Sequence, residues 1–137
     1  MEDINMSDAK YKDCFVKLPF VMDGKLMAVG ADVLNGFNCH IIYAFAYEPG
    51  ITGLSKKPHV HEYDEAIFFI GSNPQNPGYL GAEVEMAMGK DEEEKYTFTE
   101  PTAVVVPKGV PHCPIMTRRI EQPFLVMAVS LTGARES

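Results

Sequence analysis

From Cys14 to Leu131 the chain repeats one pattern, a short apolar run followed by a turn. Almost no stretch sustains the three-and-four spacing that an amphipathic helix needs to bury one stripe. Runs of this length, rich in Val, Ile, Phe and Tyr, read instead as β-strands. The expected strands are Cys14 to Phe20, Lys25 to Val29, Asn38 to Glu48, Lys57 to His61, Glu65 to Ile70, Ala82 to Met88, Tyr96 to Thr99, Thr102 to Pro107, Cys113 to Thr117 and Phe124 to Leu131. Separators such as Asp23-Gly24, Asn35-Gly36 and Pro49-Gly50 carry the dihedral freedom that tight turns demand. Many short strands at regular spacing indicate an all-β fold, a sandwich or a barrel.

Glu65 to Ile70 and Thr102 to Val106 are largely apolar at both parities, so these strands are expected to be covered on both faces. A second subunit, as in a homodimer, or the N-terminal strands would supply the outer cover. The ten prolines and eleven glycines are spread through the chain and mark no internal linker, so 1–12 reads as a polar leader and 13–137 as one domain. The polar stretch from Gly71 to Gly81 is a long loop, either a lid or a surface insertion.

With 137 residues, 46% of them hydrophobic and 23% charged, the chain can bury a core of its own. A net charge of −7 without clustered Lys and Arg argues against nucleic acid and anionic membranes as partners. The longest apolar run, Ile41 to Tyr47, is seven residues, far short of the ~20 that span a bilayer as a helix. Cys14, Cys39 and Cys113 are odd in number and share no Cys-x-x-Cys spacing, which fits reduced thiols and a cytoplasmic location.

His59 and His61 are two apart in an expected strand, a spacing that turns both imidazoles to one face. Tyr63-Asp64 reads as a tight turn, after which Glu65 opens the returning strand and can aim its carboxylate at the same point. Pro107-Lys108-Gly109 is a second directed turn that delivers His112 to the start of another strand. If the strand from Thr102 crosses near the first segment, His112 becomes a fourth ligand. His59, His61, Glu65 and His112 would then hold one divalent metal ion. Imidazole and carboxylate donors without thiolate suit Fe or Mn first, with Ni, Co or Zn also possible. His40 is left as an ordinary strand residue or a hydrogen-bonder in the pocket, and Cys113 is expected to point away from its neighbour His112.

These residues resemble the two motifs of the cupin superfamily. The first, Gly-x5-His-x-His-x3-Glu with a later glycine, is met at Gly53, His59, His61, Glu65 and Gly71, and the second, Pro-x-Gly-x2-His, at Pro107, Gly109 and His112. The likeness runs from about Gly50 to Leu131. Pro101 stands where the second motif usually opens with glycine, Met116 where it usually closes with asparagine, and the gap from Glu65 to Gly71 is one residue short. The resemblance implies a single cupin barrel, a double-stranded β-helix or jelly roll. It implies a small-molecule partner, with chemistry ranging over dioxygenases, isomerases, decarboxylases and non-catalytic binders. A metal-dependent enzyme on a small oxygenated substrate leads, and a binding or sensing protein is the alternative. From parity, Ile67, Phe69, Val84, Met86, Met88 and Met116 are expected to line an apolar pocket, with Pro114 also turned inward.

Overall fold

A computed structural model describes residues 9–19, 26–53 and 55–133. It contains nine strands, β1 (Met27–Val29), β2 (His40–Ala46), β3 (Gly50–Thr52), β4 (Glu65–Gly71), β5 (Ala82–Met88), β6 (Glu94–Phe98), β7 (Thr102–Val106), β8 (His112–Ile120) and β9 (Phe124–Ser130). Single helical turns occur at Lys12–Cys14 and Lys90–Glu92. The all-β reading holds. Of the expected strands, Cys14 to Phe20 has no strand pairing in its described residues, Phe20 and Lys25 lie outside them, and Lys57 to His61 makes only one bridge, from His59 to His112.

Two antiparallel sheets face one another. One has the order β1-β2-β9-β4-β7 and the other β3-β8-β5-β6. No strand pairing closes the two into one continuous barrel among the described residues. Alternation builds the core: β4 buries Glu65, Ile67 and Phe69 on one parity, and β5 buries Ala82, Val84 and Met86. Ile115, Phe124 and Val126 complete the packing between the sheets. Phe69 and Phe124 are fully buried, each stabilising the fold by roughly 1.5–3 kcal/mol through water exclusion.

Outer faces differ between the sheets. On the first sheet the row Phe45–Leu125–Ile70 is apolar, and so is the next, Tyr43–Met127–Phe68. Val105 is 70% exposed on this sheet, so the expected second cover is not provided by the described residues. The second sheet turns out charge instead, with Arg118 paired to Glu85 at 2.7 Å and Arg119 reaching Glu83 and Glu121.

The loop from Gly71 to Gly81 is built of turns. The Asn76 and Tyr79 amides donate to the Asn73 and Asn76 carbonyls, and the Ser72 hydroxyl donates to the Pro123 carbonyl at 2.6 Å. It leaves β4 at the end opposite Glu65, about 20 Å away at ~3.4 Å per residue. That distance places it away from the histidines and removes it as a lid over them.

Candidate metal centre

Backbone pairing brings the two histidine segments together. The His59 and His112 amides each donate to the other's carbonyl at 3.0 Å, and the Gly109 amide donates to the His61 carbonyl at 2.9 Å. The Lys108 amide donates to Asp64 Oδ1 at 2.9 Å, tying the Pro-x-Gly turn to the turn before Glu65. Residues opposed in such a pair project to the same side, so His112 faces His59. The convergence of His59 and His61 therefore comes from this lacing and not from an extended strand over Lys57 to His61.

One donor atom from each of His59, His61 and His112 lies within 4.8 Å of the other two. Ring centroids are 4.7 Å apart for His59 and His61 and 4.3 Å for His59 and His112. Glu65 adjoins this trio through His112, with Oε1 3.2 Å from His112 Nε2. Its other oxygen accepts from the buried Ser130 hydroxyl at 2.9 Å. All four expected ligands therefore meet in one region, three as a cluster and the carboxylate beside it.

The donors fit a cation. His112 Nδ1 donates to the Val110 carbonyl at 2.9 Å, so in the neutral ring Nε2 carries the lone pair. That lone pair faces a carboxylate oxygen in a position that is 1% exposed. Two acceptors at this separation repel unless a proton or a metal ion lies between them. His59 Nδ1 is also buried without a hydrogen-bond partner. A loose set of histidines on a surface would leave neither atom in want of a positive partner.

The electrostatics favour deprotonated ligands. Burial lowers the His59 pKa, and the neighbouring His112 and His61 lower it further, against smaller opposing effects of the Lys57 backbone and Glu65. Burial pushes the Glu65 carboxyl up, but the His112 ring when protonated at Nε2, the Ser130 hydroxyl and the fields of His112 and His61 outweigh it, leaving the pKa below its ordinary value. Neutral imidazoles and an ionised carboxylate are the forms that bind metal.

Several neighbours were not legible in the sequence. Tyr63 stacks on His61 with centroids 4.7 Å apart and rings 10° from parallel, which holds that imidazole's plane. His40 meets Tyr63 edge-on at 5.2 Å and is anchored by Nδ1 donating to the Thr132 carbonyl at 3.0 Å. The register sets His40, Ser130 and Glu65 in one row across β2, β9 and β4, so all three face inward.

Cys113 corrects an expectation. On β5, Met88 pairs with His112 and Met86 with Ile115, so two residues of β8 oppose Ala87 alone. This bulge turns Cys113 inward beside its neighbour, where it is 5% exposed and lines the cavity. Burial and the charge of Glu65 push its thiol up to about 12. The same bulge inverts the parity beyond it: Ile115 and Thr117 are buried, and Met116 lies opposite Glu85 and Ile51 on the outer side, against the expected inward Pro114 and Met116.

A cavity of about 310 Å³ opens on the cluster, walled by Ile42, Ile67, Cys113, Ile115, Val126 and Ala128 and rimmed by Thr52, Gly53 and Ser55. Of the residues expected in the pocket, Ile67 is in this wall. Phe69, Val84 and Met86 are buried in the core behind it, and Met88 packs against that core and borders a separate cleft with Tyr96 and Val105.

By sequence the chain matches no family model and no curated protein. By structure it is similar to a point mutant of Bacillus subtilis oxalate decarboxylase (TM-score 0.56, 14% identity), over 98% of this chain and 30% of that one. A formate complex of Lactobacillus farciminis oxalate decarboxylase gives a TM-score of 0.59 at 12% identity over 88% of this chain and 32% of the other. The cysteine peptidase peruvianin-I from Thevetia peruviana latex gives 0.59 at 11% identity over 97% and 80%. The chain thus spans about 30% of the length of the oxalate decarboxylases. One fold carrying a decarboxylase and a peptidase leaves function to be argued from the site.

Proposed function

From a cupin fold that gathers three imidazoles and a carboxylate at one point, we propose that this chain binds one divalent metal ion through His59, His61, Glu65 and His112. The observation that carries the reading is the convergence of His59, His61 and His112, one donor atom of each within 4.8 Å of the other two, with Glu65 Oε1 3.2 Å from His112 Nε2. Iron or manganese is the leading ion. Donors of nitrogen and oxygen without a cysteine in the cluster support it, and a neighbouring structure concerns the Mn(II) centres of Bacillus subtilis oxalate decarboxylase. Nickel, cobalt and zinc satisfy the same donors.

The protein acts as a metal-dependent enzyme of dioxygenase or isomerase type on a small oxygenated substrate. A bound divalent ion would supply Lewis-acid polarisation of the substrate's oxygens. Tyr63 and Ser130 hold the ligands, the apolar wall excludes water, and Ser55 in the lining offers a hydroxyl to a polar group, while the Thr52 hydroxyl is paired with that of Thr117. A non-catalytic ligand binder is the second reading, favoured by the described lining itself: beyond the ligand set it offers hydroxyls and a protonated thiol for proton transfer. Cysteine nucleophile chemistry is opposed by the raised Cys113 pKa, since such catalysis needs a lowered one.

We also place the protein in the cytoplasm as a homodimer joined through the apolar outer face of the first sheet. Three free cysteines support the reducing compartment, and no described helix is long and apolar enough to cross a membrane.

Elemental analysis of protein purified without chelator is expected to find about one divalent ion per chain, absent from the double variant His59→Ala, His112→Ala. Full metal content in that variant would end the assignment. Oxygen uptake and product analysis with enediols, diketones and phenolic acids then separate turnover from binding, because a ligand bound but never consumed marks the binder.

A further inference from the structure

The cavity is graded along the strands of the first sheet. At one end Glu65, set in the row His40–Ser130–Glu65, brings its carboxylate into the lining, and two residues further on the inward row is Ile42–Ala128–Ile67. Two residues of strand advance about 6.6 Å, the reach of a few carbon–carbon bonds. Between two isoleucines the methyl of Ala128 leaves a notch, and Cys113 and Ile115 face it from the opposite sheet. Among the described lining residues there is no Lys or Arg, and the ionisable carboxylate in the wall is Glu65. A second carboxylate carried on the ligand's tail would lie against Ile42, Ile67 and Ala128, away from the metal donors and with no cationic side chain among the described lining residues, which is costly. The volume of about 310 Å³ is at the small end of the usual range of roughly 300–1,000 Å³ for ligand pockets.

We infer that the cavity selects a neutral or singly charged oxygen chelator carrying a compact, branched aliphatic tail, and that Ala128 sets the space for that tail. The inference rests on the metal reading above and adds the ligand class to it. The chelating end meets the metal donors at the Glu65 row, while the tail lies in the notch over Ala128 and removes the isoleucine wall from water. A dicarboxylate matches the chelating end but not the wall.

The test is calorimetric titration of Mn(II)-loaded protein with 2-oxo acids that share one chelating end: pyruvate, 2-oxobutanoate and 4-methyl-2-oxopentanoate, with 2-oxopentanedioate to carry a second carboxylate on the tail. Affinity is expected to rise about three- to fourfold per added carbon, roughly fiftyfold from pyruvate to 4-methyl-2-oxopentanoate, the change produced by ~0.8 kcal/mol per buried CH₂. The tail carboxylate is expected to weaken binding at least tenfold relative to the branched acid. The variant Ala128→Leu fills the notch and is expected to keep its metal while flattening the series. Affinity independent of tail length, 2-oxopentanedioate binding more tightly than the branched acid, or an unchanged series in a folded Ala128→Leu variant would each overturn the inference. If that variant does not fold, the slope in the parent protein decides. Metal content measured on the same samples separates the two failures: metal present with a flat series sinks only the ligand class, whereas protein that takes up no Mn(II) sinks the metal reading and this inference with it.

Discussion

At the scale of single residues, the site divides into the four proposed ligands and the groups that hold them still. Ser130 is of the second kind. Its buried hydroxyl donates to Glu65 Oε2 at 2.9 Å, leaving Oε1 turned to His112. Ser130→Ala is expected to lower stability by about 1.5–3 kcal/mol, the worth of a hydrogen bond to a charged group, and to weaken metal affinity by roughly tenfold or more. Thermal melts and competition with a metal-binding dye would read the two effects, and an unchanged affinity would show that Glu65 needs no support. His59, His61, Glu65 and His112 were legible from residue type and spacing. Ser130 and His40 were not, because a serine 65 positions from Glu65 carries no sign of its partner until strand register sets them opposite.

Elements add what spacing omits. Strands β4, β5, β7 and β9 were legible because their apolar residues alternate or run unbroken for four residues or more. Strand β3 spans three residues beginning with a glycine, and its pairing with Met116 and Thr117 is a long-range event without a local signal. The bulge in β8 is the instructive failure. One extra residue reverses the side chains beyond it as far as the next register shift, at Glu83/Val84, which brought Cys113 and Ile115 inward and sent Met116 out. At the far end of β4 a different constraint acts: a Cβ on Gly71 would meet the Tyr79 carbonyl oxygen at 2.2 Å. Gly71→Ala is expected to cost about 1–3 kcal/mol by forcing the loop off the strand, and to leave metal content unchanged because the cluster is at the other end. A lowered melting temperature with full metal loading checks this, and loss of metal would show that the two ends are coupled.

For the whole molecule, the contrast between sheet faces bears on assembly. The second sheet presents Arg118, Arg119, Glu83 and Glu85 to water, whereas the first presents Phe45, Ile70 and Val105. Homodimer formation through the first sheet predicts a two-chain mass by light scattering, and Phe45→Glu with Ile70→Glu should yield folded monomers, since like charges cannot be buried there unpaired. A monomeric parent protein would remove the dimer. The sequence by itself determined an all-β chain with short strands and one set of metal-ligand types, because side-chain chemistry and two-residue alternation are local properties. Tertiary structure alone decided that the Pro-x-Gly turn laces His112 onto His59, that His40 and Ser130 share the row of Glu65, and that Ala128 opens the notch. Each depends on which strands pair and in what register, and that is set by packing between segments many tens of residues apart.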